Sequence, residues 1–295
     1  MPQMNERELI GKKLNNVEFI EKDGKVYGRL KNYGVNVDYE LKPVKPERPV
    51  EAVLMDLDGT TVTSEEFWMY VIELTMKEFS GDKSFTLAEE DIPFVSGYTT
   101  ADHLKYCVDK YYPKKGLDLE RGMTIYHVIA KTELDKIMRG GGKADSFKPA
   151  EGLKDFLLGL KERKIKIGLV TSGLDYKAIP EIVAAFRVLG MGDPLKFYDA
   201  VITGGRRKDD GEYGTIGEVA AKPHPWVYTE LAYRGLKIKN PSGVFGIEDS
   251  AAGAMSLRFA GFPVIGVNCG NIEKSGMDVL CYKKVDKLCD ILSLL

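Results

Sequence analysis

The chain has 295 residues, 42 Lys and Arg against 44 Asp and Glu, and a formal net charge of −2. Hydrophobic residues make up 44% and charged residues 29%, a globular balance with no bulk electrostatic reason to expect nucleic acid or an anionic membrane as partner. No apolar run approaches the roughly 18 residues a membrane-spanning helix needs, so no membrane partner is expected.

In chain order, MPQMNERELIGKKLNN is charged and lacks the apolar stretch of a signal peptide. The following VEFIEKDGKVYGRL is two alternating runs around Asp23-Gly24, a hairpin signal, and VNVDYEL predicts a third strand. Pro43, Pro46 and Pro49 then form a stiff linker. Residues 1–48 therefore read as a small β appendage plus linker, with packing or oligomerisation the expected role. Five short apolar runs follow, at Ala52–Leu57, Ile165–Val170, Ala200–Thr203, Val244–Ile247 and Pro263–Val267. Continuous rather than alternating apolarity marks strands buried on both faces, as in a parallel sheet covered by helices. Helical patterns at Gly152–Arg163, Lys177–Leu189, Pro225–Arg234 and Ser250–Ala260 lie between them, so an α/β fold with right-handed crossovers is expected. Between residues 65 and 147 the alternation stops, and Glu66–Phe79 and Ala101–Tyr111 read as amphipathic helices. A helical insertion over 65–147 in an α/β core of 49–64 and 148–295 accounts for this, with Gly140, Gly141 and Gly142 as a flexible exit. Cys107, Cys269, Cys281 and Cys289 contain no C-x-x-C pair; reduced thiols in a cytoplasmic protein are expected.

Ligands of open α/β sheets bind beyond the carboxyl ends of the strands. The first run ends in Asp56-Leu57-Asp58-Gly59-Thr60, the second in Thr171-Ser172-Gly173 and the fourth in Glu248-Asp249-Ser250; Lys222-Pro223 follows the third. A carboxylate is a competent nucleophile for phosphoryl transfer. Its repulsion from an anionic phosphate has to be neutralised, and a magnesium ion held by Asp56, Asp249 and Glu248 would do so. Lys222 adds a fixed positive charge, the Thr171 hydroxyl a hydrogen bond, and the turn at Gly59 and Thr60 backbone N–H groups. Each feature alone has a plainer reading: a surface D-x-D, a threonine N-cap, a solvated lysine, first-turn acids on a helix. All four at strand ends in one order make joint accident much rarer. No G-x-G-x-x-G follows the first strand, which disfavours dinucleotide binding.

These residues resemble the motifs of the haloacid dehalogenase-like hydrolases, which are mostly phosphatases. Asp56-Leu57-Asp58-Gly59-Thr60 is similar to their first motif, Thr171 to the second, Lys222 in KPHPWVYTEL to the third, and Glu248-Asp249 in GIEDSAAGAMSLRFAGFPVIGV to the fourth. The resemblance runs from about Ala52 to Val267, and the 65–147 insertion resembles the C1-type cap of the phosphoglycolate phosphatase and β-phosphoglucomutase subgroup. It implies a Rossmann-like core, a Mg²⁺ cofactor and a small phosphorylated metabolite as partner. It makes Asp56 the nucleophile that forms an aspartyl-phosphate and Asp58 the general acid–base, whose backbone carbonyl also touches the metal. Gly59, Thr60, Thr171, Ser172 and Lys222 would bind the phosphoryl group, and Glu248 and Asp249 would complete the metal site. An acid at Asp58, where the family's ATPases carry threonine, favours ester hydrolysis or mutase chemistry.

Two features depart from that pattern: the first ~45 residues and the charged stretch Arg206–Ala221, where Arg206 or Arg207 would line the site mouth if the stretch is more than a solvated loop. The cap is expected to select the substrate by closing over it, with Glu65, Tyr98 and His103 as candidate contacts, and Phe67 and Trp68 reading as helix core. His127 and His224 are ambiguous between surface and site. The leading expectation is a phosphatase for a small phosphomonoester; the alternatives are a phosphomutase of the β-phosphoglucomutase type and a non-catalytic phosphometabolite-binding protein. Oligomeric state is not readable from the sequence.

Overall fold

The computed structural model describes residues 6–14, 16–32, 35–91, 100–204, 221–267 and 270–295. They fall into two compact units: Met1–Val62 with Pro149–Ala178 and Gly192–Leu295, and Thr63–Lys148 with Ile179–Met191.

Unit one opens with a four-stranded antiparallel sheet, β1 (Lys13–Leu14), β2 (Val17–Lys22), β3 (Lys25–Asn32) and β4 (Val35–Glu40), in that spatial order. Asp23 and Gly24 take φ of 52° and 75°, the doubly left-handed geometry of the tight hairpin turn that Asp-Gly favours. Alternation then sorts the faces. Val17, Phe19, Val26 and Leu30 are buried on one side. On the other, Glu18, Arg29 and Asp38 form a cross-strand row, with Arg29 Nε and Nη2 donating to Asp38 at 2.8 and 2.9 Å.

The chain then enters the core sheet as β5 (Ala52–Asp56), buried at every position. The second unit follows, built on α1 (Glu65–Ser80), α2 (Thr100–Tyr111) and α3 (Leu119–Met138). Back in unit one come α4 (Leu153–Glu162), β6 (Lys166–Val170), α5 (Asp175–Val188), β7 (Ala200–Ile202) and α6 (Trp226–Glu230), the last running into a π turn at Leu231–Gly235. β8 (Val244–Glu248), α7 (Ala251–Phe259), β9 (Val264–Val267) and β10 (Cys281–Val285) complete it. The core sheet has the order β10-β9-β8-β5-β6-β7, every pair parallel. This is the expected α/β Rossmann-like architecture.

Three details differ from the sequence expectation. β10 was not anticipated: it is an edge strand with alternating burial and two lysines, so it has no continuous apolar run. The helix expected over Pro225–Arg234 is one short α segment closed by the π turn. And α5, expected wholly within the core, is shared: from Ile179 on it belongs to unit two, where Arg187 Nη2 donates to the Ile137 carbonyl at the end of α3 (2.8 Å).

The N-terminal sheet is not a detached module. Leu9, Phe19, Leu30 and Leu41 share one hydrophobic cluster with Leu54, Tyr228, Leu231, Met255, Leu257 and Phe259. The Tyr39 ring stacks on Phe259 at 5.6 Å and the Phe19 ring lies 6.4 Å from it. Gly28 is required here, because a Cβ at that position would come within 2.1 Å of the Phe259 ring.

Unit two packs α1 on α3 through buried Phe67, Val71, Phe79, Tyr126, Leu134 and Ile137. Its polar tie is Asp91, which has no exposed surface. Asp91 accepts from Tyr106 (2.6 Å), Lys110 (2.5 Å), Tyr111 and the Ala88 N–H (3.2 Å). No described helix is long and apolar enough to cross a membrane.

Candidate active site

The site grows from three neighbouring strands. β5 is flanked by β8 and β6, so the first strand of the core sits where the strand order reverses, the position at which α/β sheets open a crevice. Asp56 is the last residue of β5, Glu248 the last of β8, and Thr171 follows directly on β6. Parallel register therefore delivers all three to one edge.

Lys222 joins them from the segment after β7. Its ammonium donates to Asp56 Oδ1 and to Glu248 Oε1 (2.6 Å), and it lies 5.1 Å from the centre of the Tyr228 ring. The Lys222 side chain is 8% exposed, that of Asp56 6% and that of Glu248 not at all. Each Glu248 oxygen has two donors. Oε1 takes Lys222 and the Tyr228 hydroxyl (2.5 Å), and Oε2 takes the Ser250 N–H (3.2 Å) and hydroxyl (3.0 Å).

Burial and mutual repulsion set the electrostatics. Desolvation first, then the Glu248 charge, push the Asp56 carboxyl well above the usual carboxylate range, against the pull of Lys222. The same two causes raise Asp249 to about 7. For Lys222 burial acts downward, but the Asp56 and Glu248 charges outweigh it and the ammonium is stabilised. Asp56, Glu248 and Asp249 each bring one oxygen within 4.8 Å of the others. Three buried carboxyl groups stand against one ammonium, and the donors are all hard oxygens. That set fits a magnesium ion.

The first-motif turn supports this group. The Thr61 hydroxyl donates to the Asp56 carbonyl (2.5 Å) and the Thr60 hydroxyl to Asp249 Oδ1 (3.3 Å). Gly59 has φ +82°, and a Cβ there would lie 2.2 Å from Asp249 Oδ2. One expectation needs correction here. The Gly59 N–H donates to the Val62 carbonyl (2.8 Å), so the turn consumes that amide instead of offering it to phosphate. Asp58 is exposed, and its Oδ2 accepts from the Thr171 hydroxyl (3.2 Å). Asp58 lies past the end of β5, held by Thr171, and its charge adds to the rise of the Asp56 carboxyl. Thr171 also accepts from the Gly173 N–H (2.9 Å), and the Ser172 hydroxyl accepts from the Lys222 N–H (3.2 Å).

A profile of haloacid dehalogenase-like hydrolases matches residues 50–261, a span that contains every one of these side chains. The chain belongs to the haloacid dehalogenase-like hydrolases. Solved structures share the fold of this hydrolase. A Thermotoga maritima protein provisionally assigned as a β-phosphoglucomutase is 21% identical with a TM-score of 0.59, covering 83% of this chain and 97% of its own. A subfamily IA, variant 1 hydrolase of the same superfamily from Geobacter sulfurreducens is 16% identical with a TM-score of 0.59, covering 86% and 100%. A Haemophilus somnus protein assigned by prediction as a phosphoglycolate phosphatase is 18% identical with a TM-score of 0.58, covering 83% and 97%.

Glu65 is the exposed first residue of α1. His103 is half-buried on α2; its Nε2 has no hydrogen-bond partner among the described residues, and burial lowers its pKa. Tyr98, Arg206 and Arg207 lie outside the described residues. Phe67 is core, packed on Phe147 at 4.4 Å. His224 is buried against Tyr39. Sequence reasoning missed Tyr228, Thr61 and Ser250. Ser250 adjoins the acidic pair and was legible as a helix cap. Tyr228 lies six positions after Lys222, and only the fold shows that its hydroxyl reaches Glu248.

Proposed function

We propose that this hydrolase is a Mg²⁺-dependent phosphatase that cleaves a small phosphomonoester through an aspartyl-phosphate on Asp56. The observation that carries the reading is the buried Lys222 ammonium shared by Asp56 and Glu248, with Asp249 within reach of both. A cation beside a strand-end nucleophile is what an incoming phosphate dianion needs.

Asp56 Oδ attacks phosphorus, and the ester P–O bond breaks. Asp58, exposed and tied to Thr171, gives the leaving oxygen its proton. Water then attacks the phosphorus of the acyl phosphate, Asp58 takes the water proton, and inorganic phosphate leaves with Asp56 regenerated. Lys222 and the Thr171 hydroxyl hold the transferring oxygens throughout. Asp56, Glu248 and Asp249 would hold Mg²⁺, which when bound supplies Lewis-acid neutralisation of phosphate charge. Removing the divalent ion with EDTA is expected to abolish phosphate release from p-nitrophenyl phosphate, with Mg²⁺ restoring it. Asp56→Asn is expected to lower turnover by about 10³-fold or more, the scale of losing a covalent nucleophile. Unaltered activity in pure Asp56→Asn protein would refute the assignment.

The Thermotoga neighbour favours a second reading, phosphoryl transfer to a sugar hydroxyl. The two separate on one measurement: a phosphatase releases phosphate without a sugar bisphosphate activator, whereas a mutase requires one and conserves the phosphoryl group. A cytoplasmic setting belongs to the same proposal; burial pushes the thiols of Cys107 and Cys281 up to about 12, which keeps them inert.

A further inference from the structure

We infer that the N-terminal sheet is a brace for the phosphate-binding lysine, and that Tyr39 is its positioning residue. The inference rests on the reading of Lys222 as a phosphoryl ligand. The matched family region begins at residue 50, so the sheet lies outside it and no role is assigned to it there.

Two residues after Lys222 the chain places His224, 5% exposed. Both ends of His224 are held. Its Nδ1 is 3.1 Å from the Tyr39 hydroxyl on β4, with the rings edge-on at 87°, and its carbonyl accepts from the Ser256 hydroxyl of α7 (2.5 Å). Tyr39 is itself fixed, stacked on Phe259 of α7. One phenol thus joins the lysine turn to the helix that follows Glu248-Asp249.

The sheet is clamped where it does this. Arg258 of α7 has no exposed surface, pairs with Glu6 and donates to the Lys42 carbonyl (3.0 Å). Glu6 and Lys42 lie at the two ends of the N-terminal segment, so both ends close on α7. Its middle is set by Phe259 lying over Gly28. A lysine side chain has four rotatable bonds, and its ammonium is only as well placed as its backbone. Fixing His224 fixes the base from which Lys222 reaches between Asp56 and Glu248.

Tyr39→Phe keeps the ring on Phe259 and removes the hydroxyl. In the full-length protein it is expected to lower kcat/KM for p-nitrophenyl phosphate about threefold to tenfold, the range of one lost hydrogen bond, and to weaken inhibition by inorganic phosphate in parallel. Its Tm should stay near that of the parent. The chain has 3 histidines, so the His224 ring signals can be followed by NMR, and they should shift while those of His103 and His127 stay. Asp38→Asn is the control: it cuts the Arg29 pair on the opposite face of the same strand and should leave the kinetic constants alone. Unchanged constants in Tyr39→Phe, or an equal loss in Asp38→Asn, overturn the brace. Should Tyr39→Phe fail to fold, His224→Phe removes the other partner of the same hydrogen bond and is expected to move the constants in the same direction; no change there also overturns it. Wild-type protein without Mg²⁺-dependent hydrolysis, or hydrolysis that survives Asp56→Asn, defeats the phosphatase reading instead.

Discussion

At the scale of single residues, the site is a problem of buried charge solved by shared partners. Glu248 has no exposed surface and is tolerated because four donors reach it. Tyr228 is the donor with no charge of its own and no solvent access, so its hydroxyl has little to do but hold Glu248 Oε1. Tyr228→Phe keeps the ring under Lys222 and removes that donor. We expect kcat/KM to fall about tenfold, the low end for a hydrogen bond to a charged group, with the fold intact by circular dichroism. An activity equal to the parent's would mean that Ser250 and Lys222 position Glu248 without help. Asp56, Asp58 and Asp249 were legible in the sequence because each falls beside a strand end, and Lys222 because it opens the KPHPWVYTEL stretch. Tyr228 was not, because it lies on a helix and nothing in helical spacing announces a hydroxyl aimed at a carboxylate on another element.

At the scale of elements, Asp91 ties the segment between α1 and α2 to α2 itself. Burial alone would raise its carboxyl, but the Lys110 ammonium and the Tyr106 and Tyr111 hydroxyls outweigh burial and hold it at about 2. An unfolded aspartate titrates near 3.9. The folded form therefore binds the proton less readily. The stabilisation is fully present above about pH 4 and is lost as pH falls through 4 toward 2. Acid titration followed by tryptophan fluorescence should show a destabilisation in that window that Asp91→Asn largely removes, at the cost of a lower Tm at pH 7. An identical acid profile in the variant would discount the tie. The helices of this unit were readable from their amphipathic period. The Asp91 cluster was not, since its partners lie 15 to 20 positions away and meet only when the unit packs.

At the scale of the whole molecule, the N-terminal sheet changes from an appendage into part of a core. Leu9, Phe19, Leu30 and Leu41 belong to the same buried cluster as Met255, Leu257 and Phe259. A chain starting at residue 43 would keep the complete family-matched region and expose that cluster, together with a guanidinium built to be buried. We expect such a truncation to aggregate or to bind hydrophobic dyes strongly, and to lose several kcal/mol of stability, given about 25 cal/mol per Å² of apolar surface returned to water. A soluble truncation with the parent's Tm would show the sheet to be dispensable.

Taken alone, the sequence determined the α/β class, the Asp-Gly hairpin and the strand-end residues of the site, because periodicity and strand termini are local properties that survive without coordinates. Only the tertiary structure decided that β10 closes one edge, that α5 is divided between two units, that the Gly59 amide belongs to its own turn, and that Tyr39 meets His224 across 185 positions of chain. Those outcomes depend on which surfaces find each other during packing. No pattern confined to neighbouring residues encodes the distance between a phenol and an imidazole so far apart in the chain.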